Sequence, residues 1–311
     1  MTASALPRRG LGSLEVPVIG LGCNNFGTRI DETATAAVVD AALDVGIDFF
    51  DTADIYGRGE SESFLGRALE GRRDQALIAT KFGGVIDGSS GGASPAYIRQ
   101  AILASLGRLQ MDYVDLYQLH VPDPGVPIAE TLGALHQLVE EGLVREIGCS
   151  NFTADQLYEA ERAAAGKTPF VSVQNQYSML HREPEEGLLE ACSQLGVGLL
   201  PYFPLHSGIL TGKYRKGQPN PEGTRVTGNP RWEDQLTDDL LNTIEELVAY
   251  AQSKSFEMTD LAFGWLLARP QVSSVIAGAT KPEQVRRNAA SASWILDAYE
   301  LAEVDGILQS G

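Results

Sequence analysis

The chain has 311 residues, with 41 Asp and Glu against 24 Lys and Arg, and this acidic balance without a dense basic run argues against binding to nucleic acid. The three cysteines are widely spaced and suggest neither a disulfide framework nor a zinc site. The sequence contains no run of roughly 18 apolar residues and no apolar export signal, so neither membrane insertion nor secretion is expected. We therefore expect a cytoplasmic protein that, at this length, folds as one domain over residues 1–311.

Short apolar runs rich in Val, Ile and Phe alternate along the chain with longer segments of helical periodicity. After a hairpin expected at residues 8–16, the predicted strands are residues 18–22, 47–51, 77–81, 114–120, 145–150, 171–175, 197–203 and 272–277. The clearest predicted helices are residues 31–45, 95–109, 128–141, 153–165, 184–195, 238–254, 258–268 and 282–291. This regular alternation predicts an α/β protein with the (β/α)8 TIM-barrel architecture. The alternative, a doubly wound sheet, usually carries a glycine fingerprint, and that motif is missing.

Polar side chains follow the apolar runs at the C-terminal ends of the predicted strands, where barrels carry their chemistry. Asp51, Lys81 and His120 end the second, third and fourth strands, and Tyr56 follows Asp51 in the next loop. Each has an ordinary structural explanation, such as a turn, a lysine reaching solvent or a core histidine. Together, two opposite charges and an imidazole in one partly dry cavity are costly unless they are paired or functional. The group therefore favours an active site.

These four side chains fit one mechanism of carbonyl reduction. Tyr56 is the candidate proton donor, and we expect the ammonium of Lys81 to lower the pKa of its phenol. Asp51 is expected to hold Lys81 protonated, while His120 donates a hydrogen bond to the substrate carbonyl oxygen.

Further motifs extend this pattern along nearly the whole chain. They are Asp-Thr-Ala-Asp-Ile-Tyr-Gly at 51–57, Thr-Lys-Phe-Gly at 80–83, Leu-His at 119–120, Gly-Cys-Ser-Asn at 148–151, Gln-Asn at 174–175, Tyr-Phe-Pro-Leu at 202–205, Leu-Thr-Gly-Lys-Tyr at 210–214 and the block 278–288. In these motifs the chain resembles the aldo/keto reductase family. The resemblance implies a β/α barrel, a catalytic tetrad of Asp51, Tyr56, Lys81 and His120, and reversible reduction of an aldehyde or ketone by NADPH.

The resemblance also implies a set of cofactor-binding residues. Ser150, Asn151 and Gln174 are expected to bind the nicotinamide carboxamide, with Tyr202 stacked on the ring. Segments after the seventh and eighth strands lie where barrels bind phosphate. The remaining candidates are Leu205, Gly208, Lys213, Gly278 and Thr280, with Gln284 and Asn288 facing the adenine. NADP is favoured because Lys281, Arg286 and Arg287 supply positive charge for a 2′-phosphate, and NAD stays open.

Departures from the family pattern concern the substrate. The segment Cys23-Asn24-Asn25 stands where Thr-Trp is frequent, and Phe203 stands where a serine is frequent, so both changes affect the shape of the pocket. Asn25 and Trp232 are the candidate substrate contacts. The expected partner is a small carbonyl or alcohol compound, whose identity stays open together with the oligomeric state.

Three other functions remain to be weighed. One is a cofactor-binding regulatory subunit with slow turnover, since the family includes channel-associated proteins. Another is a Schiff-base lyase with Lys81 as nucleophile. A metal-dependent hydrolase is disfavoured, because the four histidines show no HxH or HExxH spacing, and no metal site is expected.

Overall fold

A ring of parallel strands forms the centre of the protein, whose computed structural model describes residues 6–86, 89–224 and 226–310. The strands are β1 (Ile19–Gly22), β2 (Phe49–Asp51), β3 (Leu77–Phe82), β4 (Val114–Leu119), β5 (Val144–Ser150), β6 (Ser172–Gln174), β7 (Gly198–Leu199) and β8 (Val275–Gly278). From β1 to β7 each strand pairs in parallel with the next, and β8 pairs in parallel with β1. Parallel bridges between Leu199 and Val272 and between Tyr202 and Ile276 close the ring. This confirms the predicted (β/α)8 barrel.

The helices surround this ring. They are α1 (Glu32–Asp44), α2 (Glu60–Ala68), α3 (Pro95–Leu109), α4 (Ile128–Glu140), α5 (Ala154–Ala164), α6 (Leu188–Leu195), α7 (Pro230–Glu233), α8 (Asp238–Ser253), α9 (Met258–Leu267), α10 (Pro282–Ala290) and α11 (Ala298–Ser310). The clearest predicted helices do not include α2, α7 and α11. For α2 the reason is local, because it follows the left-handed Gly59 and has no side-chain cap to mark its start. In the described part of the chain, no helix combines the length and apolar character needed to cross a bilayer.

The expected hairpin forms from the strands Arg8–Leu11 and Leu14–Pro17. Its buried side chains Leu11, Leu14 and Val16 pack in one cluster with Phe49 and Leu116 from the ring. The hairpin therefore covers the end of the barrel where the strands begin, and the opposite end stays open to ligands. A second short antiparallel pair, Val85–Ile86 with Ser89–Ser90, lies in the loop after β3.

The seventh strand is much shorter than predicted. The sequence predicts a continuous apolar strand over residues 197–203. In the structure only Gly198–Leu199 form a regular ladder. Pro201 has no N–H to donate, and Phe203 adopts a left-handed backbone with φ 53°. The regular ladder is therefore interrupted at Pro201, single bridges at Tyr202 continue the pairing, and Phe203 then turns the chain away at the open end of the barrel.

One row of inward-facing residues sets the level of the candidate site. Lys81, Gln118, Gly148 and Ser172 are consecutive register partners across β3, β4, β5 and β6. Because side chains alternate between the two faces of a strand, partners in register share a face. Lys81 and Gln118 both donate to Asp51, and Gln118 reaches it across the intervening strand β3, so this face is the barrel interior.

Gly66 marks the point where α2 crosses the end of α3. A Cβ there would stand 2.2 Å from the backbone carbonyl oxygen of Leu109, which cannot yield as the end of a side chain can. We expect Gly66→Ala to lower the free energy of unfolding by about 1–3 kcal/mol, the usual range for overpacking, measured by urea denaturation.

Gly107→Ala in α3 is the matched control. A Cβ at this position meets nothing within 4 Å, so the change is expected to be neutral or stabilising by up to about 1 kcal/mol through helix propensity. Equal stability of the two variants would contradict the close crossing of α2 and α3.

Candidate active site

The four predicted catalytic side chains lie together at the open end of the barrel. Asp51 ends β2, Lys81 lies in β3, and His120 directly follows β4. Tyr56 begins the 3-10 turn Tyr56–Gly59. Lys81 Nζ is 2.7 Å from Asp51 Oδ2 and 3.5 Å from the Tyr56 hydroxyl, while the Tyr56 and His120 rings meet edge to face at 5.9 Å between centroids. Tyr56, Asp51 and His120 line one cavity of about 500 Å³.

Asp51 and Lys81 form a buried ion pair with complete hydrogen bonding around the carboxylate. Lys81 is fully buried and also donates to the backbone oxygen of Thr52 at 2.9 Å. The second carboxylate oxygen of Asp51, Oδ1, accepts from Gln174 Nε2 at 2.9 Å and from Gln118 Nε2 at 3.1 Å. Burial acts to lower the pKa of Lys81, but the charges and hydrogen bonds of Asp51 and Tyr56 outweigh it, and the net pKa is raised. A lysine held protonated is a poor Schiff-base nucleophile, which argues against the lyase.

The phenol of Tyr56 departs from the expectation that Lys81 brings its pKa below the ordinary value. Loss of solvent raises the pKa most, and the charge of Lys81 and its hydrogen bond oppose this without overcoming it. Asp51 adds to the rise, so the net pKa is raised. Tyr56 is therefore held as the neutral phenol, which is the form that can donate a proton.

His120 is neutral in this environment. Burial lowers its pKa to about 3, and the charge of Lys81 acts in the same direction. Its Nδ1 is buried and has no hydrogen-bond partner among the residues that the structure describes. That nitrogen lies against the chain at Gly84, where an added Cβ would be 3.2 Å from it. Nε2 is thus the ring nitrogen left for the cavity, and as N–H it can donate to a carbonyl oxygen.

A chain of hydrogen bonds joins the residues expected to bind the nicotinamide carboxamide. Asn151 Nδ2 donates to the backbone oxygen of His120 at 2.9 Å and to Ser150 Oγ at 3.1 Å, and Asn151 Oδ1 accepts from the Tyr202 hydroxyl at 2.8 Å. Ser150 Oγ donates to the backbone oxygen of Gln174 at 2.7 Å. All four side chains line the cavity, with Tyr202 half-buried. Amides, a hydroxyl and an aromatic face are thus presented together, as a flat amide-bearing ring requires.

The cavity continues to the segments after β7 and β8. Of the remaining cofactor candidates, Leu205, Gly208, Lys213, Gly278, Thr280 and Gln284 line it. Thr280 donates through its backbone N–H and its hydroxyl to Gln284 Oε1, at 2.7 and 3.1 Å. Ser207 Oγ is buried at this end without a hydrogen-bond partner in the described ranges. Lys213 lines the same cavity, with its Nζ 3.1 Å from where a Cβ on Gly208 would stand. A hydroxyl and an ammonium on one cavity wall fit the oxygens of a pyrophosphate.

Two predicted site residues do not line the cavity. Asn288 is buried in α10. Trp232 lies behind the wall, with its ring edge on to Phe203 at 6.0 Å and to His206 at 5.3 Å between centroids. Trp232 therefore supports Phe203, which does face the cavity. The second substrate candidate, Asn25, lines the cavity and donates to the backbone oxygen of Ala279 at 3.2 Å, joining the loops after β1 and β8.

Sequence reasoning missed several lining residues. They are Arg29, Ser207, Thr211 and Thr224. For Ser207 no sequence signal existed, because its exposure to the cavity depends on left-handed backbone at His206 and Ser207, with φ 45° and 57°. For Arg29 the signal was available, since it lies in the first loop after a strand. Among the described residues, no group of three His, Cys, Asp or Glu side chains could hold a metal.

Comparisons with known proteins identify the family of this chain. Residues 18–309 match the model of the aldo/keto reductase family. A probable aldo-keto reductase from Glycine max is 34% identical, with 95% of this chain and 86% of the relative covered. A probable voltage-gated potassium channel subunit beta from Arabidopsis thaliana is 33% identical, with 97% of this chain and 95% of the relative covered. The solved glycerol dehydrogenase of Gluconobacter oxydans superposes with a TM-score of 0.85 at 28% identity, covering 100% of this chain and 96% of the other. The chain therefore belongs to the aldo/keto reductase family, oxidoreductases that use nicotinamide cofactors.

Proposed function

We propose that this protein reduces an aldehyde or ketone to the alcohol, reversibly, with NADPH as the reductant and Tyr56 as the proton donor. The observation that carries the proposal is the contact of a neutral Tyr56 phenol with the buried Lys81 ammonium, at 3.5 Å, on the wall of a cavity that His120 shares. A binding protein gains nothing from placing a phenol, an ammonium and a neutral imidazole at one point. A general acid, by contrast, needs such neighbours.

Each residue of the group has a separate task. Bound NADPH supplies a hydride to the carbonyl carbon. His120 Nε2–H donates to the carbonyl oxygen and orients it, and Tyr56 donates its proton to that oxygen as negative charge develops. Lys81 stabilises the phenolate that remains, and Asp51 keeps Lys81 aimed at Tyr56.

We propose the carboxamide site at Ser150, Asn151 and Gln174. Gln174 has committed Nε2 to Asp51, which leaves Oε1 to accept an amide N–H. Tyr202 is proposed to stack on the ring, and Leu205, Gly208, Lys213, Gly278, Thr280 and Gln284 to hold the rest of the dinucleotide. Asn288 is buried away from the cavity and is not part of this proposal. The charge of Lys213 and the unpaired Ser207 hydroxyl support the phosphate end of this assignment.

The preference for NADPH over NADH rests on fewer cations than the sequence suggests. Arg287 is engaged by Asp260 through two hydrogen bonds of 2.7 and 2.8 Å and by Glu257 at 2.9 Å. It faces α9 rather than the cavity. Lys281 lines the cavity and is exposed, and Arg286 is exposed on α10. Lys281 is thus the cation that we assign to a 2′-phosphate.

Lys281→Ala is expected to raise the KM for NADPH roughly tenfold, the effect of losing one hydrogen bond to a charged group, and to leave the KM for NADH unchanged. Steady-state kinetics with both coenzymes measures this. Arg287→Lys is the control, because it alters a cation that faces α9, and it should leave the coenzyme ratio as it is. An equal increase in KM for NADPH and NADH would show that Lys281 does not bind the 2′-phosphate.

The activity itself is tested by following the nicotinamide absorbance with a panel of aldehydes and ketones and, in reverse, with polyols. Polyols belong in the panel because one structural relative is a glycerol dehydrogenase. Turnover with any of them supports the proposal. Tight coenzyme binding without turnover on any compound would favour the second candidate, a redox-reporting regulatory subunit, which the similarity to a channel beta subunit supports.

A cytoplasmic location is part of the proposal. Its support is that Cys23, Cys149 and Cys192 are all buried and free of disulfides, as in proteins of reducing compartments.

A further inference from the structure

Gln118 is a polar side chain in the barrel interior that the proposed mechanism does not yet use. It lies in β4 between its register partners Lys81 and Gly148, and it is fully buried. Its Nε2 donates to Asp51 Oδ1 at 3.1 Å, on the carboxylate oxygen that does not contact Lys81. Gln118 therefore approaches the ion pair from the side opposite the cation.

The other half of the Gln118 amide has no structural task. Oε1 is buried and has no hydrogen-bond partner in the part of the chain that the structure describes. A buried, unpaired carbonyl destabilises a fold, and an apolar side chain of the same size avoids that loss. The barrel interior thus retains an amide at a net cost in stability, which is typical of a group kept for function.

The neighbouring strand leaves the space that this amide occupies. A Cβ on Gly148 would stand 3.2 Å from Gln118 Cγ and 2.1 Å from Ser172 Oγ. With no side chain at 148, the long Gln118 side chain can cross the interior from β4 to Asp51 on β2. The missing side chain at Gly148 thus leaves room for both of its neighbours in the row, Gln118 and Ser172.

We propose that Gln118 is a positioning residue of the reaction, which fixes the orientation of the Asp51 carboxylate and through it the direction of Lys81 toward Tyr56. This inference rests on the proposed function. Asp51 has one oxygen on Lys81, and its other oxygen is held by two amides, from Gln118 and Gln174. Two donors at one oxygen, from different strands, prevent rotation of the carboxylate about its χ2 angle. They also place positive ends of dipoles beside a buried negative charge.

Gln118→Met tests the proposal because methionine has nearly the same volume and no donor. We expect kcat to fall roughly tenfold, the effect of losing one hydrogen bond to a charged group, with the KM for the coenzyme unchanged. The variant is expected to unfold at the same or a higher urea concentration, since the unpaired Oε1 is gone. A residue with a purely structural role predicts the opposite pattern, unchanged kcat.

The pH profile is the readout that packing alone does not move. The titratable groups around this point are Asp51, Lys81, Tyr56, Cys23 and His120. Removing the Gln118 N–H makes the potential at Tyr56 more negative, which raises the pKa of its phenol. Oxidation of the alcohol needs the phenolate. For this direction we expect the pH at which the rate increases to be higher by about half a unit in the variant.

Ser172→Ala is the matched control, because Ser172 is fully buried in the same row and its hydroxyl has no partner among the described residues. It should leave kcat and the pH profile unchanged. Gln118→Glu serves if the methionine variant does not fold: it keeps the shape, and its added carboxyl beside Asp51 should make kcat fall as the pH rises. Wild-type kcat and pH profile in either folded variant would refute the role of Gln118 while leaving the reductase activity intact. Loss of the activity assignment itself would instead show as turnover that survives Tyr56→Phe.

Discussion

Replacing Tyr56 with phenylalanine is expected to lower kcat for carbonyl reduction by about 10²- to 10⁴-fold, the usual contribution of a positioned general acid. The change removes one oxygen atom, and the ring keeps its contact with His120 and its place under Lys81, whose Nζ is 5.1 Å from the ring centroid. Coenzyme binding, measured by quenching of protein fluorescence, should persist. A variant that still reduces carbonyls at the wild-type rate would exclude Tyr56 as the acid.

The pH dependence of the rate is a second, independent test of Tyr56 as the proton donor. Because the pKa of Tyr56 is raised, the phenol is protonated at neutral pH, and reduction should lose rate only as the pH rises through that pKa. Oxidation of the alcohol needs the phenolate and should gain rate over the same interval. His120 contributes nothing to either profile near neutrality, because its pKa of about 3 keeps it neutral there. His120→Gln should therefore change the rate without moving these pH profiles.

The barrel was predictable because its signal is local and repeated. Apolar runs of strand length and segments of helical periodicity recur along the chain, and glycines follow several of the helices, so errors at single boundaries do not change the topology. The errors in the predicted elements lie where the conformation of the backbone, rather than the pattern of apolar residues, decides where an element begins or ends. Pro201 and the left-handed Phe203 stop β7 inside an apolar run, and α2 begins after Gly59 without a capping side chain.

The grouping of the four candidate catalytic residues was predictable from the sequence, the rest of the cavity wall was predictable only in part, and the pKa values were not predictable. Strand-end position was enough to bring Asp51, Lys81 and His120 together, because all strands of the ring point the same way. The raised pKa of Tyr56 depends on how much solvent its surroundings exclude, which no sequence motif states. The pairing of Arg287 with Asp260 depends on the packing of α10 against α9, and it removes a cation that composition alone assigned to the coenzyme.

Lys81→Met is expected to be the most damaging single change, in stability as well as in activity. It leaves the carboxylate of Asp51 buried without its cation, and breaking a buried ion pair in this way typically lowers the free energy of unfolding by about 3–5 kcal/mol. Turnover should fall to background, because the phenolate of Tyr56 then forms without a neighbouring charge. Urea denaturation and steady-state kinetics measure the two effects.

The double variant Asp51→Asn with Lys81→Met separates these two consequences. An asparagine keeps an oxygen for the amides of Gln118 and Gln174 and carries no charge, so most of the lost stability should return. Activity should not return, since neither the ammonium nor its counter-ion is present. Recovery of both stability and turnover would mean that Lys81 contributes only to the stability of the fold. Recovery of neither would mean that the stability lost in Lys81→Met does not come from the unpaired charge of Asp51. Stability regained without turnover is the result expected if the pair is retained for its effect on Tyr56.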